Sequence, residues 1–366
     1  MDGCELDRVN RQLVHALQVD GRAPLSRIGS VIGVSDRTLG HRYRRLRELH
    51  GLRVVAVPNS RNIGVRDWLV RIRQAGETVP ALAAQLARRQ DVTWVGIAAA
   101  GTEIMCIVHT LIGEEDAGLW RALRQVPRAA VITTQCLLQP VAGATGWQVR
   151  TEALDSDEVS ALRPHAAHDS DGERVELQDG DWRMLRALSK DGRLGFSRLA
   201  EVTGWSEASA RRRLATLRHS DAVRFTVEIA PALFGYEVEA MVWLKVTPML
   251  LSETSAALAR HPEVAFAAHV TGDSNLMAMV MCRDTQGLSH YMLQQISLLP
   301  GVLGAEAQIV VRRTKRAGSP PPALTTTAAR RHVDTHAMLR GMSTTSPVAA
   351  ASPRFRTDAI EHANPS

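Results

Sequence analysis

Arginine clusters twice in this chain, each time behind a serine. The first run, "SDRTLGHRYRRLRELHGL", carries Ser35, Asp36, Arg37, Thr38, His41, Arg42, Arg44 and Arg45; the second, "SEASARRRLATLRH", carries Ser206, Glu207, Ser209, Arg211, Arg212, Arg213 and Arg218. A guanidinium is a planar fork of donors that matches phosphate oxygens and the edge of guanine. Wound as helices, the two runs put these residues on one face and Leu39, Tyr43, Leu46 and Leu49, or Ala210, Leu214 and Leu217, on the other. Such a face neutralises phosphate charge and reads base edges; it does not break bonds. No Ser/His/Asp set, paired carboxylates or phosphate-cradling loop stands elsewhere, so no catalytic residue is expected and the chain reads as a non-enzyme. Cys4, Cys106, Cys136 and Cys282 are scattered, with no CxxC and no zinc-like Cys/His spacing. His332 and His336 stand one helical turn apart in a low-complexity stretch. Neither pattern calls for a metal or a cofactor.

What must position the arginines is a module written twice. Residues 16–46, "ALQVDGRAPLSRIGSVIGVSDRTLGHRYRRL", return at one constant offset as residues 187–217, "ALSKDGRLGFSRLAEVTGWSEASARRRLATL". The DGR, the glycine turn (Gly33, Gly204) and the serine cap (Ser35, Ser206) are kept in both. In the first copy Asp7 is placed to cap a helix whose apolar residues Val9, Leu13, Val14 and Leu17 recur at three and four, and Gly21 to end it. A second helix is expected from Pro24, then a tight turn at Gly33, then a third helix from Ser35 to about Leu49, stopped by Gly51. Two short helices and an Arg-faced third, joined by a tight turn, form a helix-turn-helix whose last helix fits a major groove.

Behind each module lies a strand-rich stretch. The patterns predict a wing or linker strand over 53–57, then strand 68–73, helix 79–89, strands 92–98 and 104–109, helix 116–125 and strand 131–138. The second half repeats the order with strand 239–246, helix 252–261, strands 264–271 and 276–282, helix 286–297 and strand 305–311. This is βαββαβ, the ferredoxin-like unit, whose sheet has one face covered by helices and one bare. The bare face carries Trp243, Phe266, Met277 and Met279 and wants a partner sheet, from the other half of the chain or from another copy.

The fold class is therefore α+β: two winged helix-turn-helix modules, each followed by a ferredoxin-like effector or oligomerisation domain. The expected boundaries are 1–58 and 59–140 for the first pair, 141–176 for an acidic solvated linker, 177–228 and 229–314 for the second pair, and 315–366 for a disordered tail. A length of 366 residues suits several cores, and a net charge of +6 favours a polyanionic partner. Neither a signal-peptide pattern nor an apolar run of about 18 residues occurs, so no membrane contact is expected, and thiols in apolar strands suit a reducing cytoplasm.

The segment "LDRVNRQLVHALQVDGRAPLSRIGSVIGVSDRTLGHRYRRLRELHGL", with the sheet domain behind it, resembles the Lrp/AsnC, or feast/famine, transcription regulators. The resemblance covers residues 6–139 and 177–313 and is strongest in the helix-turn-helix. It implies a sequence-specific regulator that binds double-stranded DNA and pairs sheets in dimers, here as a fused pseudo-dimer or a homo-oligomer. It also implies an amino-acid effector near a glycine-and-aspartate loop between the second and third strands. That loop is "VTGDSNLM" in the second half, with Gly272 and Asp273, and with Asn275 where a second acidic residue is usual. In the first half it is "AAAGTEIM", with Gly101 and Glu103 but no Asp. Siroheme decarboxylases resemble the same architecture, which makes a tetrapyrrole enzyme the alternative; it would need His and Arg groups around a tetrapyrrole pocket, with His109 and His269 at or in the predicted strands.

Overall fold

Backbone amides at a helix start have no partner within the helix, and in both modules a serine side chain supplies one at the start of the third helix. The computed structural model describes residues 6–73, 78–113, 123, 126, 130–143, 153–163 and 174–315. Of the helix expected over 116–125 only Leu123 is described, and residues 316–366 lie outside the described residues. Helix α1 (Arg8–Val19) begins where the Asp7 carboxylate accepts the Asn10 N–H at 2.8 Å. Helix α2 (Leu25–Ile32) ends on Gly33 at φ 70°, a left-handed conformation that glycine adopts without strain. Helix α3 (Asp36–His50) begins where Ser35 Oγ accepts the Thr38 N–H at 3.2 Å, and it ends on Gly51.

Strand β1 (Arg53–Pro58) follows, then the first sheet unit: β2 (Val65–Arg73), α4 (Val79–Arg88), β3 (Val92–Ala98), β4 (Glu103–Leu111) and β5 (Val131–Ala142). The linker departs from expectation. It contains helix α5 (Ser156–Leu162), started by a reciprocal cap between Asp155 and Glu158, with Leu162 fully buried. Arg27 on α2 donates to Ala161 O at 2.6 Å, and the Leu154 N–H donates to His15 Nδ1 at 3.2 Å. This part of the acidic linker is thus docked on the first module. Its signals were the D-x-x-E cap and the three-residue spacing of Val159 and Leu162, short features that a reading of overall charge passes over.

The second half repeats the plan with α6 (Asp179–Leu188), α7 (Phe196–Thr203), α8 (Glu207–His219), β6 (Val223–Glu228), β7 (Val238–Val246), α9 (Leu251–Leu258), β8 (Val264–Val270), β9 (Leu276–Cys282), α10 (Thr285–Tyr291) and β10 (Val302–Lys315). Strands β1 and β6 pair antiparallel, Val55 opposite Thr226, so the two wing strands form one ribbon between the modules. The other eight strands close a barrel in the order β10-β3-β4-β2-β5-β8-β9-β7. Each ferredoxin-like sheet therefore gives its last strand to the other: β5 pairs with β8 and β10 with β3. The bare faces have found each other inside one chain. Trp94, Met105, Met241, Trp243 and Met277 pack between them, while α4 covers one outer face and α9 and α10 the other. Burying these large side chains, each contributing about 1.5–3 kcal/mol, is what closes the barrel.

Equivalent registers in the two halves hold different residues. Arg71 lies opposite Met105 in the first half, and Trp243 opposite Met277 in the second. These two counterparts meet, with the Arg71 guanidinium 3.8 Å from the Trp243 ring centre. Arg71 also donates to Glu103 at 2.5 Å and to Glu306 at 2.6 Å. Burial opposes its charge, but the bonds to Glu306 and Glu103 outweigh burial and hold Arg71 above its ordinary pKa.

Candidate nucleic-acid interface

The third helix of each module rests on a narrow apolar stripe. Leu39 and Leu46 of α3 are buried, as are Ala210, Leu214 and Leu217 of α8. Leu49 is a correction: in the last turn of α3 it is 63% exposed and takes no part in the buried stripe of Leu39 and Leu46. Tyr43 is half-buried between two guanidiniums, Arg47 at 5.8 Å and Arg193 at 5.5 Å from its ring centre.

Of the residues expected to face a groove, Asp36, Arg37, Thr38, His41 and Arg45 are exposed on α3, and Glu207, Arg211 and Arg212 on α8. Ser35 and Ser206 are exposed but already cap their helices, Ser206 Oγ accepting the Ser209 N–H at 3.1 Å and bonding Ser209 Oγ at 3.0 Å. Arg211 lies over the Phe196 ring at 4.2 Å, which holds its guanidinium beside the start of α7. Arg42 and Arg213 point elsewhere. Arg42 donates to Asp7 at 2.5 Å and to Asn10 Oδ1 at 3.1 Å on α1. Arg213 grips both carboxylate oxygens of the fully buried Asp181 at 2.8 and 2.6 Å, and these hydrogen bonds raise its pKa. Both arginines are thus braces between the first and third helices of their modules. Helical periodicity places them on the polar face but does not reveal a partner from another helix.

The duplicated DGR has a reciprocal use. Arg22 of the first copy donates to Gly192 O at 2.6 Å and Leu194 O at 3.0 Å in the second. Arg193 of the second copy donates to Gly21 O at 2.7 Å in the first. Arg218 of α8 adds an ion pair to Asp20 at 3.1 Å, and Arg47 of α3 one to Asp191 at 3.5 Å. Burial, then the neighbouring Arg193 and Arg218, bring Arg22 down to about 10, so it remains charged at neutral pH. Each module is clamped by the other's loop, and α3 and α8 are held at a set separation.

The effector loops are mostly engaged in holding the barrel. Glu103 is 1% exposed and taken by Arg71 and Arg73, so it is not open to a ligand ammonium. Asn275 brackets Val246, accepting its N–H at 2.9 Å and donating to its C=O at 2.8 Å. Gly272 sits at φ 105° beside Gln135, whose amide donates to Thr271 O at 3.0 Å. Asp273 is exposed, and Gly101 at φ 95° has open space around it. His109 bonds Asp67 at 2.5 Å, whereas His269 bonds Ser255 of the covering helix α9 at 2.8 Å, so they address opposite faces of the sheet.

Comparison with known proteins agrees with this geometry. The AsnC-type helix-turn-helix domain matches residues 6–47 and again 177–218, and the Lrp/AsnC ligand binding domain matches 239–320. The HTH-type transcriptional regulator FL11 of Pyrococcus horikoshii is 29% identical over 143 residues, which are 39% of this chain and 94% of that protein. The HTH-type transcriptional regulator LrpA of Pyrococcus abyssi is 26% identical over 140 residues, 38% of this chain and 99% of that protein. One such relative thus spans about one repeat. Among solved structures, the siroheme decarboxylase NirDL superposes with a TM-score of 0.58 over 90% of this chain and 99% of that one, at 14% identity, a likeness of fold. With its helix-turn-helix present twice and a ligand-binding domain behind the second copy, the chain is a DNA-binding transcriptional regulator of the Lrp/AsnC type.

Proposed function

We propose that one chain does the work of a regulator dimer, setting two nonidentical recognition helices on an asymmetric pair of half-sites in double-stranded DNA. The observation that carries this is the reciprocal hold of Arg22 and Arg193 between the modules. A dimer of identical subunits reads a palindrome, whereas α3 and α8 present different side chains. In this reading Arg37, Thr38, His41 and Arg45 of α3 and Ser209, Arg211 and Arg212 of α8 approach bases and phosphates, while Ser35, Asp36, Ser206 and Glu207 sit at the helix starts nearest the backbone. Arg42 and Arg213 act at one remove, by bracing the helices.

The protein acts as a binding protein rather than an enzyme, in the cytoplasm. Supporting this, His109 and His269 do not share a pocket, and Cys106, Cys136 and Cys282 are free thiols. No helix among the described residues is long and apolar enough to cross a membrane. An amino-acid effector would engage the exposed Asp273 and the amides near Gly272, and Gly101 in the first half, with Glu103 and Asn275 holding the loops from behind. Further copies would associate through surfaces other than the barrel faces, which are already paired within the chain.

The test is fluorescence anisotropy on the protein's own upstream region against scrambled duplex, across a salt series. Tight binding that prefers the native fragment and weakens steeply with salt is expected. Equal affinity for both duplexes overturns the proposal.

A further inference from the structure

The two modules share a scaffold and a clamp, but the faces they offer are not alike. On α3 the stripe at every fourth residue is Arg37, His41 and Arg45, all exposed. At the counterpart positions α8 carries Ala208, Arg212 and Thr216, also exposed. Beside the stripe, the exposed Arg44 of α3 has Ala215 as its counterpart. The Thr216 hydroxyl does not make up the difference, since it donates to Arg212 O at 3.1 Å within its own helix. In return α8 has Arg211 where α3 has Gly40, but that guanidinium lies against the Phe196 ring at 4.2 Å.

The stripe of α3 is one wall of an open groove of about 690 Å³. The start of α1 forms the other wall through Asp7 and Asn10. Asp7 is the one acid among the described residues that line it, and Arg42 already holds it at 2.5 Å. Arg37, His41 and Arg45 therefore face the groove with no unspent acid in its lining. The helix starts differ in the same sense: Arg8 is exposed on α1, and its counterpart on α6 is the exposed Asp179. A groove lined by charge of one sign focuses the field and draws in a polyanion. Each arginine that neutralises a phosphate there also releases bound counterions, so affinity gained this way weakens with salt.

We propose that, with both recognition helices on DNA as proposed above, the two modules hold it unequally. The first seats the phosphodiester backbone in the α1–α3 groove through Arg37 and Arg45 and binds its half-site unaided. The second engages its half-site because the clamp keeps it there at high effective concentration.

Hydroxyl-radical footprinting of the full chain on its own upstream region, across a salt series, tests this. Two protected half-sites are expected at low salt, one of them fading at lower salt than the other. Arg211→Ala with Arg212→Ala should erase the labile half-site and keep the persistent one, whereas Arg37→Ala with Arg45→Ala should erase both. Circular dichroism checks that each variant is folded. If the α3 variant is not, Ala208→Arg with Thr216→Arg, at exposed positions, should raise the labile half-site to the salt tolerance of the other. Half-sites that fade together in the native chain, a half-site that survives the change on folded α3, or a labile half-site unmoved by the added arginines overturns the proposal. Equal affinity for native and scrambled duplex is a different failure, that of sequence reading. The slope of affinity against salt on scrambled duplex then decides. Removing Arg37 and Arg45 should lower it by about two, and adding arginines at 208 and 216 should raise it by about two. A slope that ignores either change overturns the inequality.

Discussion

The two halves of this chain treat their shared ancestry differently in two regions. In the helix-turn-helix modules the same residues are kept and used reciprocally: Arg22 reaches into the second loop and Arg193 into the first. In the barrel the same strands are kept, but equivalent registers hold unlike residues, with Arg71 where the other half has Trp243 and His109 where it has Met281. Near-symmetry suits a clamp that must set two helices at one distance. At the centre of the barrel the counterparts touch, and two copies of Arg71 would repel there, whereas arginine on tryptophan attracts. The difference teaches that the modules remain interchangeable in design while the sheets have become specific for each other.

The sharpest way to break the comparison is at the barrel axis. Arg71→Met leaves Glu103 buried with only the more exposed Arg73 to answer it and should cost about 3 kcal/mol of stability in urea unfolding, as loss of one partner of a buried pair does. Trp243→Phe keeps a ring for Arg71 and loses the bond from Nε1 to Gln135 at 2.8 Å, so it should cost about 1–2 kcal/mol. If the two variants cost the same, the unlike pair at the axis is not what makes the halves specific.

At the clamp, Arg22→Ala with Arg193→Ala should leave each module folded but free its separation. Affinity for a duplex with both half-sites should fall by about a hundredfold, as effective concentration is lost, while affinity for a single half-site stays the same. Equal losses on both duplexes would mean that the arginines hold each module together rather than setting their distance. The braces give the next contrast. Arg213→Ala abandons a fully buried Asp181 and should destabilise by about 3 kcal/mol, whereas Arg42→Ala abandons an Asp7 that is 53% exposed and should cost about 0.5–1 kcal/mol. Arg37→Ala or Arg45→Ala, on the exposed face of α3, should leave stability unchanged and lower the slope of affinity against salt by about one phosphate contact each.

Much of this was legible in the sequence because it is local. Ser35, Ser206 and Gly33 announce helix ends within four residues, and strands 92–98 and 276–282 have the boundaries their apolar runs imply. The bare sheet face was legible too, since Trp243 and Phe266 alternate with residues that face the helices. What stayed hidden is non-local. Nothing near Arg213 in the sequence says that Asp181 lies beneath it, and nothing near Arg22 points to Gly192. That β1 and β6 pair with each other was hidden too, because the two strands lie in different halves of the chain. The effector loops looked open for the same reason: Glu103 is separated in sequence from Arg71, the charge that takes it.

The smallest effect concerns a contact that the first module has and the second lacks. The Leu154 N–H donates to His15 Nδ1, which ties the start of α5 to α1. That nitrogen accepts only while it carries no proton. Burial lowers the pKa of His15, partly offset by the charge of Glu158, so folding favours the neutral ring. A group whose folded pKa is depressed contributes stability in full above its unfolded value, about 6.5, and loses it as pH falls through the folded value. The linker helix should therefore be docked at neutral pH and loosen under mild acid, while the Arg22–Gly192 clamp, with no group titrating in that range, does not respond. Hydrogen exchange of the Leu154 amide should accelerate relative to that of Val34, inside the same module, as pH is lowered below about 6, after correction for intrinsic rates. A His15→Phe variant should show fast Leu154 exchange at every pH. If exchange at Leu154 in the native protein ignores pH, the imidazole does not hold the linker, and Leu162 packing with the Arg27 bonds is what keeps α5 in place.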